Sequence, residues 1–294
     1  MRTTGNRILL FCFFLLTTPL TLPVPALAWW EKGHRIVTAN AVAALPDDMP
    51  RFFKDGAATL IRLSSQPDEW RRFGTELGRT EGPDHYLDTE KLAANPTKLA
   101  FQSDRYAALK TYFEMKETPA GIGLLPYRLT EDYQRLRGTF AQYRKDPTNP
   151  SIQQEILVYA GLLSHYAGDT AQPLHTTIHF NGRVDQRGTV ITGKGIHERF
   201  EGVFVDKFIQ QADCRKYVGA PVVYPNLSDA IREALAQSFA GIDEVYRLDE
   251  TGKLKAPDSA TKTFVQQRLA HGSHFLTSLW YTAWKESEMS KGAR

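Results

Sequence analysis

The stretch His165-Tyr-Ala-Gly-Asp169-Thr-Ala-Gln-Pro-Leu-His175 places three good metal ligands within eleven residues. On a helix, His165 and Asp169 are four apart and lie on one face. Pro173 cannot continue that helix, so the spacing predicts an end before it and a turn that carries His175 back towards the same cavity. His197 and Glu201 repeat the i,i+4 geometry further on. Upstream stand His34 after Gly33, Asp68 in Gln66-Pro67-Asp68-Glu69-Trp70-Arg71, and His85 in Asp84-His85-Tyr86-Leu87-Asp88. Each has a plain reading when taken singly: a helix cap, an exposed pair, a polar loop histidine. Their number in a chain with eight histidines argues instead for one shared metal site. His179, His271 and His274 lack a ligand-spaced acidic partner and keep the plain reading.

Bringing these groups together falls to a mostly helical chain. Apolar residues at helical spacing predict a helix over His34 to Leu45 and a short one over Phe52 to Leu63. They predict further helices over Ser103 to Lys116, with Tyr106, Leu109 and Phe113 on its apolar face, and over Glu131 to Arg144. Gly74 to Pro83 is polar and reads as loop, and Thr118 to Leu125, with Pro and two Gly, reads as a break. Pro147 and Pro150 precede the helix that bears His165. Gly182 to Gly195 reads as a loop or short β-hairpin, and His197 to Gln211 as helix. Leu227, Ile231, Leu235, Phe239 and Ile242 form a core stripe with Asn226 or Ser228 as cap, and Phe264 to Trp284 gives a last helix. With no repeat and no shift in composition, the expectation is an all-α fold. It would be a single-domain multi-helix bundle with the site in a cleft and one small loop or hairpin insertion.

Residues 1–28 read as a secretory signal, with Arg2 and Arg7 before the apolar run Ile8 to Leu16 and Ala26-Leu27-Ala28 as cleavage site. The remaining domain would run from residue 29 to 294, exported to the periplasm or the medium. Cleavage frees the α-amine of Trp29, whose pKa near ~8 allows it to bind a metal at neutral pH. The formal charge is +3, of which Arg2 and Arg7 supply two, so the exported chain is nearly neutral. A general basic field for nucleic acid is therefore excluded, and any phosphate affinity must be local. Of two cysteines only Cys214 lies beyond the signal, so no internal disulfide can form.

These motifs, in this order, resemble the zinc-dependent superfamily of phospholipases C and S1/P1 nucleases. The likeness rests on Trp29 with His34, Asp68 with Arg71, His85-Tyr86-Leu87-Asp88, and His165, Asp169 and Gln172-Pro173-Leu174-His175. The closing pair His197 and Glu201 completes it, about two thirds of the exported chain in all. The Trp29–His34 spacing and the Gln-Pro-Leu-His wording favour the S1/P1 nuclease family. Glu201, where that branch usually has Asp, is the phospholipase habit. The absence of disulfides also departs from the eukaryotic nucleases.

The resemblance implies three zinc ions. Asp68, His85, His165 and Asp169 would hold the first. His175, His197 and Glu201 would hold the second. The Trp29 amine and carbonyl, His34 and Asp169 would hold the third. Nitrogen and carboxylate ligands without cysteine suit a water-accessible zinc site. Three zinc ions, three carboxylates and one hydroxide leave a local charge of about +2, which draws a phosphodiester. The implied activity is a phosphodiesterase, a nuclease acting on single-stranded RNA and DNA by attack of a zinc-activated hydroxide, with 3′-nucleotidase activity as an extension. Asp68 would orient the attacking group and Arg71 would balance charge on the phosphate; a surface ion pair with Glu69 is the plain alternative for Arg71. Tyr86 and Asp88 would bind the base. Phospholipase C activity on phospholipid and a non-catalytic zinc-binding role are the competing readings. No protein partner is implied, and a monomer is expected.

Overall fold

The computed structural model describes residues 29–288. The signal expected over residues 1–28 lies outside the described residues. Among those described, the chain is helical, with one two-stranded sheet. Among the described residues no helix is long and apolar enough to cross a membrane.

The helices are α1 (Glu31–Ala43), α2 (Arg51–Asp55), α3 (Ala57–Leu63), α4 (Gln66–Phe73), α5 (Thr75–Glu81), α6 (Arg105–Glu114) and α7 (Pro119–Ile122) in the first half. After them come α8 (Leu125–Tyr143), α9 (Pro150–Thr170), α10 (Val205–Phe208), α11 (Gln211–Arg215), α12 (Leu227–Phe239), α13 (Ile242–Glu250) and α14 (Ser259–Glu286). The hairpin of β1 (Arg183–Val184) and β2 (Val190–Thr192) is antiparallel and sits between α9 and α10.

The centre of the molecule is α9. It starts with Pro150 in its first turn and Asn149 as cap, which accepts from the Ser151 N–H. From Ala160 to Thr170 every residue is buried, so this half of the helix has no solvent face. It packs against α8, α3, α14 and α1. One hydrophobic cluster joins these helices, from Trp29 and Val37 through Leu163 and Tyr166 to Leu276 and Trp280. The histidine and aspartate of α9 are thus set inside the core rather than on a surface.

The helix ends at Thr170, and Pro173–Thr176 follows as a 3-10 turn that carries His175. Asn226 caps α12 through the Asp229 N–H, and Asp258 caps α14 through the Thr261 N–H. Four expectations need correction. Residues 75–81 form a helix, not a loop; it has no buried residue, so it has no apolar stripe to read, and Glu76 instead pairs with Arg79 one turn on. The piece from Phe52 to Leu63 is two helices, divided at Gly56. Helix α8 starts at Leu125, six residues before the apolar pattern, with Pro126 in its first turn. In α6 the buried face is Ala108 and Tyr112, while Tyr106 and Phe113 are 81% and 65% exposed.

Candidate metal centre

Six elements deliver the candidate ligands. His34 comes from α1, Asp68 from the first turn of α4, His85 from the 3-10 turn Gly82–His85, and His165 and Asp169 from α9. His175 comes from the turn after α9. Glu201 comes from a wide helical turn, Glu198–Phe204, wound as π-helix rather than α-helix, and His197 is the residue just before it. Such turns keep residues four apart on one side while inserting an extra residue, and they occur often at functional sites. All eight side chains are buried, and they form three groups: His34, His165 and Asp169; Asp68, His85 and His165; and His175, His197 and Glu201. Within each group the ligand atoms lie within 4.8 Å of one another.

The separations are those of ligands around a shared centre. His175 Nε2 lies 3.3 Å from His197 Nε2, and Glu201 Oε2 lies 2.9 Å from the latter and 3.5 Å from the former. His165 Nε2 is 2.9 Å from His85 Nδ1 and 3.4 Å from Asp169 Oδ2, and His85 Nδ1 is 3.1 Å from that same oxygen. His34 Nε2 is 3.4 Å from Asp169 Oδ1. Two ligands at zinc bonding distance and a tetrahedral angle stand about 3.3 Å apart. Asp169 therefore faces the first two groups, one oxygen to each.

Hydrogen bonds fix which nitrogen each ring presents. His165 Nδ1–H donates to the carbonyl of Ser64 at 2.7 Å, one of the carbonyls left over at the end of α3. His175 Nδ1–H donates to the carbonyl of His85 at 2.7 Å, and His197 Nδ1–H to that of Phe180 at 3.1 Å. In a neutral ring so held, Nε2 is an acceptor. Two such acceptors therefore meet the Glu201 carboxylate at the third group. Gln172 Nε2 donates to that carboxylate at 2.9 Å, while Glu201 Oε1, Asp169 Oδ1, His85 Nε2 and both ring nitrogens of His34 are buried without a hydrogen-bond partner. Buried polar atoms are rarely left in that condition, and a bound cation would satisfy the acceptors among them. The donor set is nitrogen and carboxylate oxygen, which fits zinc.

Burial disfavours the charged form of four of these rings. It holds His34 and His85 well below the ordinary imidazole range and takes His165 down to about 3; His175 is lowered too. Burial also drives Asp68 up to about 7 against the pull of Arg71, and raises Asp169 well above the usual carboxylate range. For Glu201 the burial effect is outweighed by His197 and His175, and the pKa falls. Neutral imidazoles are ready to ligate, and the aspartates await a positive charge.

Trp29 is fully buried, and its indole N–H donates to the carbonyl of Gly168 at 3.0 Å. The side chain is thereby docked on the residue before Asp169. Gly168 has no room for a side chain, since a Cβ there would come within 2.8 Å of His34 Nδ1. Arg71 donates to Asp68 at 3.2 Å, and Glu69 pairs with Arg62. A cavity of about 270 Å³ opens over this cluster. Its walls include Arg71, His85, His175 and His197, together with Tyr86, Asp88 and Phe180. Burial raises the Tyr86 pKa to about 12 and, with Glu90, that of Asp88 to about 7.

Sequence reasoning assigned no role to Phe180, Gln172 or Ser64. Ser64 acts through its main chain and leaves no side-chain signal; Gln172 stood in plain view in the Gln-Pro-Leu-His element. Of the histidines set aside, His179 accepts from the Val184 N–H and serves the hairpin, and His271 accepts from Arg268.

No family model matches the chain. It is 24% identical to a probable serine protease of Bradyrhizobium tropiciagri over 87% of this chain and 43% of that protein. Among solved structures it is similar to the alpha-toxin of an avian strain of Clostridium perfringens, at a TM-score of 0.44 and 14% identity over 90% of this chain and 65% of the toxin. It is also similar to the alpha toxin of Clostridium absonum, at a TM-score of 0.43 and 11% identity over 87% of this chain and 66% of the toxin. The chain spans less than two thirds of the length of each of these proteins.

Proposed function

We propose that this chain is an exported phosphodiesterase that binds three zinc ions and acts as a nuclease on single-stranded RNA and DNA. One observation carries the metal reading: His175 Nε2, His197 Nε2 and Glu201 Oε2 meet within 3.5 Å, and backbone carbonyls hold both rings with their acceptor nitrogens inward. Acceptors so arranged repel unless a metal cation or a proton lies among them, and one proton cannot serve all three. His34, Asp169, Asp68, His85 and His165 would hold the other two ions, with the freed Trp29 amine as a further ligand. Zinc supplies Lewis acidity and a water acidic enough to ionise near neutral pH.

The chain's own residues do the rest. Asp68, a member of the second group and paired with Arg71, orients the attacking water. Arg71, on the cavity wall, receives the negative oxygens of the phosphate. Tyr86 and Phe180 line the same cavity and offer aromatic faces to a base, and Asp88 offers a hydrogen-bonding edge. Stacking contributes about 1–3 kcal/mol per base and tolerates any sequence. That is the recognition open to a chain with almost no net charge. The Trp29–His34 spacing and the Gln-Pro-Leu-His element support nucleic acid over phospholipid, with Glu201 the one residue pointing the other way.

The test is one assay on three substrates: single-stranded DNA, RNA and phosphatidylcholine. Nucleotides should be released from the first two, release should stop with chelator, and zinc should restore it. Phosphocholine release without nucleotide release would replace the nuclease by a phospholipase C. Zinc uptake without turnover of any of the three would leave a metal-binding protein.

A further inference from the structure

Behind the His85–His165 face of the metal cluster lies an ionic cluster that the proposed chemistry does not use. Arg128, near the start of α8, is its hub. Its Nε donates to Asp132 at 2.8 Å, and its Nη1 reaches Glu81 at 3.3 Å and Asp84 at 3.4 Å. Arg105 binds Asp84 at 2.5 Å and Glu131 at 2.8 Å, and Arg135 binds Asp132 at 2.7 Å. Asp84 and Asp132 are buried. The guanidinium of Arg128 also lies 4.7 Å from the centre of the Tyr166 ring. Tyr166 is fully buried; its hydroxyl donates to Glu81 at 3.2 Å, and its ring stands 5.4 Å from that of His85 and 5.1 Å from that of His165.

These contacts converge on one short element. Glu81 ends α5, Asp84 lies inside the 3-10 turn Gly82–His85, and His85 closes it. A four-residue 3-10 turn has weak hydrogen bonds and little stability of its own. Yet both ends of His85 are in use: its ring faces Asp169 and His165, and its carbonyl orients His175. The turn is therefore held from outside, by Arg128 and Tyr166 at Glu81 and by Arg128 and Arg105 at Asp84.

We propose that Arg128 and Tyr166 are positioning residues for the metal group built on His85 and His165, acting through the turn at residues 82–85 and through the Tyr166 ring. The inference rests on the metal reading of that group. Groups that orient metal ligands typically change metal affinity by about 10–100-fold when altered.

The test uses Tyr166→Phe, which removes one hydroxyl, and Arg128→Lys, which keeps the charge and loses the fork. Removing the charge outright would strand buried carboxylates and unfold the cluster. The full chain is loaded with cobalt(II), and the shifted ring N–H signals of His165 and His197 are followed by proton NMR during the titration. Both variants should weaken loading reported by His165 by about tenfold and displace its signal, while the His197 signal stays put. Signals that move together, or a His165 signal unmoved in Tyr166→Phe, would overturn the inference even if Arg128→Lys does not fold. Wild-type protein without shifted histidine signals would instead break the metal reading, and the inference with it.

Discussion

The His175–His197–Glu201 group and the group around Asp169 are built on different plans. In the former, both rings are fixed by main-chain carbonyls and the carboxylate by Gln172, and the three ligands lie within one stretch from His175 to Glu201, although the carbonyl that fixes His175 is that of His85. In the latter, ligands arrive from α1, α4, the 3-10 turn and α9, and among its histidines only His165 has a carbonyl to set its ring. Neither ring nitrogen of His34 has a hydrogen-bond partner. The first plan fixes its rings through the main chain. The second makes Asp169 the joint on which distant elements close.

The sharpest way to break this contrast is to compare two carboxylates. Asp169→Ala should lower turnover of single-stranded DNA by about a thousandfold, roughly 4 kcal/mol of barrier, because two groups lose a ligand. Glu201→Ala should cost less, since one group is affected; equal losses, measured beside zinc content, would refute the bridging role. A smaller effect is expected at the amino end. A chain that retains one residue before Trp29 should keep its fold by circular dichroism, bind one zinc fewer and lose most of its activity. Normal zinc content and rate would detach Trp29 from the Asp169 group.

The smallest effect is in pH. Asp68 is held up near 7 by burial, so below that pH it carries a proton that an incoming zinc must displace. Apparent zinc affinity should therefore fall as pH drops through about 7, by up to about tenfold per pH unit for that proton. The sign for stability of the metal-free protein is opposite. A carboxyl with a raised folded pKa stabilises the fold fully below its unfolded value of about 3.9, and loses that contribution as pH rises through about 7. His165, lowered to about 3, runs the other way: its contribution is complete above about 6.5 and fades as pH falls towards 3. Calorimetric zinc titration at several pH values checks the first trend. Zinc affinity flat from pH 5 to 8 would contradict it.

How much of this was legible depended on where the information resides. The helical class and the turn at Pro173 follow from spacing and from proline. The residues that the structure gathers are side-chain types with telling intervals, so the sequence could nominate them. The carbonyls of Ser64, His85 and Phe180 could not be nominated, because any residue supplies one. Helix α5 escaped because it buries nothing. In α6 the period was readable but the phase was not: Tyr106, Leu109 and Phe113 mark a face as well as Ala108 and Tyr112 do, and packing selected the second. The wide turn at Glu198 escaped as well, since residues four apart share a side in either winding.

That wide turn has a consequence for variation in chain length. Gly202 within it lies so close to Trp30 that a Cβ would come within 2.4 Å of the indole. A π-turn is an α-helix with one residue too many. Deleting a single residue between His197 and Glu201 would let the ordinary ladder close and swing one flank by about 100° relative to the other. His197 and Glu201 would then part company although neither had been replaced. At this place an indel is the severe mutation, and homologues should differ there by substitution while holding the count of residues constant.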